Sequence, residues 1–144
     1  SLDIYEGESF VIIGPSGQGK TVLLKTMAGL IAPSSGSVLI RGQNWKTLPS
    51  KEKQALLCQL GMLFQKNALF DSMTVGHNIA FPLREVTSKS EVEIDGIVDR
   101  FLEAVGLSHA KTLFPDEISG GMQKRLGIAR ALALNPKIIF YDDP

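Results

Sequence analysis

Gly14-Pro15-Ser16-Gly17-Gln18-Gly19-Lys20-Thr21 decides the fold. It fits G-x-x-x-x-G-K-[ST] at every fixed position, the pattern of a phosphate-binding loop. Just upstream, Ser9-Phe10-Val11-Ile12-Ile13 reads as a buried β-strand. Just downstream, Val22, Leu23, Leu24, Met27 and Ala28 recur as the apolar face of a helix. Strand, glycine loop and helix form the setting the motif requires.

The chemistry follows from those residue types. Glycines let the backbone enter conformations closed to other residues, so successive N–H groups can turn inward and form an anion-binding nest. The loop opens a helix, whose N-terminus adds about half a positive charge. Lys20 supplies a mobile charge for β- and γ-phosphates, and the Thr21 hydroxyl suits Mg²⁺. The alternative is a glycine-rich turn that happens to contain Lys-Thr; the flanking strand and helix weigh against it.

A chain of 144 residues is long enough for one domain with a real core. Hydrophobic residues make up 44% and charged residues 21%, which places it among globular chains and not disordered ones. Lys+Arg and Asp+Glu balance at 15 each, so charge gives no reason to expect a nucleic-acid partner. The single Cys58 cannot form an internal disulfide and fits a reducing compartment. The apolar runs, such as Phe10 to Ile13 and Ile138 to Tyr141, are too short to span a bilayer. There is no basic, apolar leader at the start. A role at a membrane would therefore come through a partner.

Taken in order, Leu2 to Ile4 and Ser9 to Ile13 are expected as two strands joined by a turn at Glu6-Gly7-Glu8. Gly29 and Pro33 stop the first helix. Ser37 to Arg41 is expected as a strand ended by Gly42, and about Lys51 to Leu60 as a short helix. Gly61 to Gln65 reads as another buried strand. From about Thr74 to Leu107 the pattern is helical, with an exposed connector at Thr87, Ser88 and Ser90. Ser90 and Glu93 form a capping box. Beyond it, Ile94, Ile97, Val98, Phe101, Leu102 and Val105 make a core-facing stripe. Another helix starts at Ser119-Gly120-Gly121 and is stopped by Asn135-Pro136. Residues 1–65 are thus expected as the first part of an α/β core, 66–118 as a helical subdomain, and 119–144 as a helix and strand returning to the core.

Two further stretches carry chemistry. Ile138 to Tyr141 delivers Asp142 at the carboxyl end of a strand, where ligands sit in open α/β sheets. An aspartate there can hold Mg²⁺ opposite Thr21, and Asp143 can orient or deprotonate a water. Ser119 reads as an N-cap, yet a helix N-terminus opening with two glycines is also a phosphate cradle. One nucleotide can lie between the two cradles only if they meet in space. Gln65 is expected to end its strand on the edge that carries the phosphate loop, with its amide in reach of a metal or a water.

Together these residues resemble the ATP-binding-cassette (ABC) ATPases. The phosphate loop, the glutamine loop (Gln65), the signature (Ile118-Ser119-Gly120-Gly121-Met122-Gln123) and the Walker B strand (Ile138 to Asp142) stand in that family's order. The stretches Phe64 to Asp71 and Thr74 to Glu85, with Ser119-Gly120-Gly121-Met122, are similar to the ATPases of MCE-associated (Mla-type) bacterial lipid transport systems. The resemblance implies an α/β P-loop NTPase core, with a mainly parallel sheet and an antiparallel β part, plus an α-helical subdomain. It implies ATP and Mg²⁺ as ligands. Gly14, Pro15, Ser16, Gly17, Gln18, Gly19, Lys20 and Thr21 would bind ATP, as would Ser119, Gly120, Gly121, Met122 and Gln123 across a head-to-tail dimer. Thr21, Gln65 and Asp142 would hold the metal, and Asp143 and Gln65 would serve hydrolysis. The implied partners are a second ATPase subunit, transmembrane permease subunits docked on the helical subdomain, and an MCE-domain substrate-binding protein. The implied place is the cytoplasmic face of the bacterial inner membrane, and the implied cargo is phospholipid or a related lipid.

The chain departs from the family pattern in places. Asp143 stands where a glutamate is usual; it is one methylene shorter, which predicts slow hydrolysis. Met122 replaces the usual signature glutamine. The family's switch histidine has no counterpart, because His77 and His109 precede Walker B and read as surface or packing residues. Tyr5 lies too near the loop to stack on adenine, and Trp45 reads as packing. The chain is therefore expected to be a fragment of such an ATPase, marginally stable or associating, with an unpaired sheet edge. Two alternatives stay open: a soluble ABC ATPase of DNA repair or translation, and a module that binds nucleotide without hydrolysing it.

Overall fold

The computed structural model describes residues 1–64 and 68–142. It divides into two compact units, Ser1–Thr47 and Leu48–Pro144.

In the N-terminal unit, helix α1 (Lys20–Met27) follows directly on the glycine loop. It ends as the sequence predicts. Gly29, at φ 74°, donates to the Thr26 carbonyl at 3.0 Å, and Leu30 donates to Lys25 at 2.9 Å. This pair of bonds is the Schellman arrangement, which satisfies carbonyls the helix leaves open. The Trp45 ring lies on the same glycine: a Cβ there would sit 2.4 Å from Trp45 Cε2. Trp45 packs, as its sequence reading anticipates. Strands β1 (Leu39–Ile40) and β2 (Gln43–Asn44) form an antiparallel hairpin. Its two-residue loop, Arg41-Gly42, has φ of 51° and 76°, the sign that the tightest hairpin turns demand at both positions.

Three strand expectations differ from the structure. Leu2 to Ile4 and Ser9 to Ile13 belong to no strand, and the strand expected over Ser37 to Arg41 shrinks to Leu39–Ile40. Ile13 is 90% exposed. A β-branched run records a preference for a pleated, buried surface. The hydrogen bonds that make it a strand come from neighbouring chain, and within this unit the ladder is confined to β1 and β2.

The C-terminal unit holds helix α2 (Ser50–Leu57), strand β3 (Leu60–Leu63), helices α3 (Val75–Val86), α4 (Glu91–Ala104) and α5 (Gly120–Leu132), and strand β4 (Ile138–Tyr141). Helix α2 stops short of the expected Leu60 because that residue opens β3. The pair β3–β4 is parallel, with Leu60 opposite Ile138 and Leu63 opposite Tyr141. Gly61 permits this arrangement: a Cβ there would meet the Ala131 carbonyl and Pro136 Cγ at 2.9 Å each.

Helices α3, α4 and α5 enclose the main core. Val75, Ile79 and Leu83 meet Ile94, Val98 and Leu102, with Leu126 and Ala129 from α5 and Ala133 at its C-cap. The expected stripe of α4 is the buried face, with Ile97, Phe101 and Val105 at its margin. The capping box forms as read: Ser90 N–H donates to Glu93 Oε2 at 2.8 Å, and Glu93 N–H donates to Ser90 Oγ at 3.4 Å. Lys111 then reaches back to Asp95 and Asp99 of α4 at 2.7 and 2.6 Å. His77 and His109 are exposed.

Candidate functional site

The phosphate loop owes its shape to two glycines. Gly17 and Gly19 have φ of 79° and 81°, a region costly for any residue with a Cβ. Gly19 is also the N-cap of α1, and no side chain caps the helix there. No side-chain cap thus competes at this helix start, where the helix dipole favours an anion. Lys20 opens α1 and folds back across the loop. Its Nζ donates to the carbonyls of Gly14 at 2.7 Å and Pro15 at 2.8 Å. These exposed bonds hold the ammonium at the mouth of the loop, where bound phosphate would replace them. Thr21 follows at the next position, half-buried.

The second cradle lies in the other unit. Ser119 is the N-cap of α5, and its Oγ accepts the Met122 N–H at 3.3 Å. Gly120 and Gly121 are exposed, and a Cβ at either would touch nothing within 4 Å. No packing among the described residues thus calls for a glycine at either position. Gln123 turns the other way, its Nε2 donating to the Pro115 carbonyl at 2.7 Å. It braces the turn that aims the cradle.

The third piece is a strand end. Asp142 follows β4, and its N–H donates to the Leu63 carbonyl at the end of β3 at 2.9 Å. The two parallel strands therefore finish side by side, and Asp142 stands on the carboxyl edge that β3 runs toward. Gln65, two positions beyond β3, and Asp143 lie outside the described residues. The described residues contain no cluster of three His, Cys, Asp or Glu side chains that would hold a metal.

Two side chains escaped the sequence reading. Asn78, fully buried, donates to the carbonyls of Phe70, Met73 and Thr74 at 3.1 Å each and accepts the Phe70 N–H at 2.9 Å. Arg130 donates to the Ala68 carbonyl at 2.7 Å, with its guanidinium 5.4 Å from the centre of the Phe70 ring. Burial pushes its pKa down from the usual arginine value. A signal existed for both. Asn78 falls in phase with Val75 and Ile79, and Arg130 in phase with Leu126 and Ala133, so each is a polar group on an apolar stripe.

A glycine loop on the G-x-x-x-x-G-K-[ST] pattern that opens a helix is the mark of the P-loop class of nucleotide-binding proteins. The chain belongs to the ABC transporter family, which it matches over residues 1–144. Over all of its residues it is 51% identical to the probable ribonucleotide transport ATP-binding protein mkl of Mycobacterium leprae, covering 42% of that protein. It is 44% identical to the intermembrane phospholipid transport system ATP-binding protein MlaF of Haemophilus influenzae, covering 54% of it. A solved dimeric ATP-binding cassette, in a post-hydrolysis state with ADP and Pi bound, superposes with a TM-score of 0.88 at 33% identity. That match covers 97% of this chain and 62% of the other. The chain thus spans about half the length, or less, of the curated relatives it matches.

Proposed function

We propose that the protein to which this chain belongs hydrolyses ATP to drive lipid transport across or between membranes. The observation that carries the ATP site is the phosphate loop itself: two left-handed glycines, an uncapped helix start, and a lysine held on loop carbonyls that phosphate can displace. Lys20 would leave Gly14 and Pro15 for the β- and γ-phosphates. The backbone N–H groups of Gly14 and of Ser16 to Thr21 would bind the remaining oxygens. Thr21, Asp142 and Gln65 would hold Mg²⁺, which neutralises charge on the transferring phosphoryl group. Asp143 would orient the attacking water.

Ser119, Gly120, Gly121 and Met122 would close on the γ-phosphate held by a partner subunit. The exposed glycines support this role, since a Cβ at either would meet nothing within 4 Å among the described residues. The dimeric state of the solved cassette supports the head-to-tail arrangement, with Gln123 as brace.

Residues 66–118 would serve as the subdomain that docks the permease. An apolar groove of about 400 Å³ in the C-terminal unit, lined by Met62, Phe64, Phe70, Phe81, Pro82 and Leu134, suits an inserted coupling segment. No helix of the described residues is long and apolar enough to cross a membrane, so a membrane role would rest on permease subunits and an MCE-domain protein at the inner membrane. The likeness to MlaF favours phospholipid as cargo. The likeness to mkl favours a ribonucleotide, and transport assays with each separate the two.

Calorimetry with Mg²⁺-ATP, on the full-length protein and its Lys20→Ala variant, tests the ATP reading. Saturable binding and phosphate release by the wild type, both lost in the variant, are expected. Binding that survives the substitution would reject the loop as the site. Binding without phosphate release, even with the permease present, would favour a non-hydrolysing module.

A further inference from the structure

We propose that Gln123 is a positioning residue for hydrolysis of the ATP held by a partner subunit: it fixes the direction of the signature cradle before any nucleotide arrives. This inference deepens the ATPase reading above and rests on it.

The cradle is built from residues that hold themselves poorly. Ser119, Gly120 and Gly121 are exposed, and glycine loses more backbone freedom than any other residue when it is fixed in one conformation. The chain enters the cradle through a short 3-10 turn, Pro115–Glu117, whose hydrogen-bond geometry is poorer than that of an α-helix. Its closing bond, from the Ile118 N–H to the Pro115 carbonyl, is long at 3.4 Å. Gln123 Nε2 donates to the same carbonyl at 2.7 Å. The shorter of the two bonds therefore comes from the far side of the cradle.

That bond closes a ring. Gln123 is the fourth residue of α5, and helical side chains lean toward the N-terminus, so its amide reaches back past the two glycines to the turn that precedes them. Pro115 and Ile118 are buried, and Ile118 belongs to the core of α3, α4 and α5, which anchors the ring on its inner side. At the entrance, the Glu117 carboxylate accepts the Phe114 N–H at 2.7 Å and fixes the turn a second time. A cradle already held in one direction has less freedom to lose when it meets phosphate. Gln123 thus acts on the closure of two subunits without being a ligand of the nucleotide. The phosphate loop keeps its own means of binding ATP when the brace is removed.

Hydrogen–deuterium exchange of the full-length protein without nucleotide reads the brace directly. ATP affinity by calorimetry, ATP-driven dimerisation by ultracentrifugation, kcat and thermal unfolding are measured beside it. Wild type is compared with Gln123→Met, which keeps the length and removes the donor, and with Gln123→Lys, which keeps a donor. Gln123→Met is expected to exchange about tenfold faster over residues 116–122 and to melt within about 3 °C of wild type. It should bind ATP within about twofold of wild type, yet lose about tenfold in dimer affinity and in kcat. Gln123→Lys should recover slow exchange and part of kcat. Unchanged exchange in Gln123→Met would overturn the proposal, because a residue that only touches nucleotide leaves the free protein as it was. Faster exchange with unchanged dimerisation and kcat would also overturn it, as would unfolding of both variants. A wild type that neither binds nor hydrolyses ATP would overturn the ATPase reading, and this inference with it; the other failures leave wild-type hydrolysis intact.

Discussion

The Asn78 side chain is folded around the Phe70 peptide, accepting its N–H at 2.9 Å and donating to its carbonyl at 3.1 Å. It also donates to Met73 and Thr74, so a single buried amide fixes the approach to α3. Truncation takes the amide from the Phe70 N–H and the Met73 carbonyl, while the Phe70 and Thr74 carbonyls keep the Met73 and Asn78 N–H groups. Asn78→Ala is expected to cost about 2 kcal/mol or more, since each buried group left without a partner costs about 1–3 kcal/mol. Asn78→Asp keeps the shape but turns an oxygen toward carbonyls that need a donor, and should be worse at neutral pH. Urea unfolding checks both. A midpoint within error of wild type for Asn78→Ala would show that water replaces the amide.

Gly61 carries a different kind of constraint. Its φ is ordinary, but a methyl group there would press on the Ala131 carbonyl and the Pro136 ring, 2.9 Å away. Gly61→Ala should force β3 away from the end of α5 and cost about 1–3 kcal/mol, the usual range for an overfilled core. The same substitution at Gly96, where a Cβ meets nothing, should stabilise α4 by up to about 1 kcal/mol. Paired melting curves give both signs in one experiment.

Acid and alkali should act on separate contacts. The Arg84 guanidinium, bound to Glu91 at 2.6 Å, holds that carboxyl below its ordinary value of 4.5. The Ser90 backbone N–H, then its hydroxyl, does the same for Glu93. A depressed carboxyl stabilises the fold above its unfolded pKa, and that contribution fades as pH falls through the folded value. Lys111 has the opposite sign. Hydrogen bonds to Asp95 and Asp99 raise it above 10.5, so its contribution is complete below that pH and fades as pH rises through the folded value. Melting temperature against pH should therefore fall at both ends. Glu91→Gln and Glu93→Gln should flatten the acid limb alone, and Lys111→Met the alkaline limb alone.

Local signals told the truth where one segment suffices to make the structure. The Ser90–Glu93 box, the stop at Gly29, the Ser119 cap and the stripe of α4 each depend on residues within a few positions of one another. The pairing of β3 with β4 does not, and neither does the loss of strand at Ser9 to Ile13, because a ladder is set by distant chain. Asn78 and Arg130 were missed for a related reason. Arg130 reads simply as one of the polar or basic residues of its helix, and the hydrogen-bond partners of both side chains are backbone groups, which leave no mark in a sequence.

The role of Ser119 can be split into its two parts. As N-cap it accepts the Met122 N–H at 3.3 Å, and Ser119→Ala should cost about 1 kcal/mol of stability. Aspartate caps a helix as well as serine does, so Ser119→Asp should restore that stability. It would also place a carboxylate where the signature is proposed to meet the partner's γ-phosphate, and like charges repel most where water is excluded. If the cradle closes on phosphate, Ser119→Asp should melt like wild type yet lose ATP-driven dimerisation and hydrolysis more completely than Ser119→Ala. Analytical ultracentrifugation with ATP and without it, together with phosphate release, separates the cases. A stable Ser119→Asp protein that still dimerises and hydrolyses would leave the serine as a cap alone, and would move the proposed phosphate contact away from this helix end.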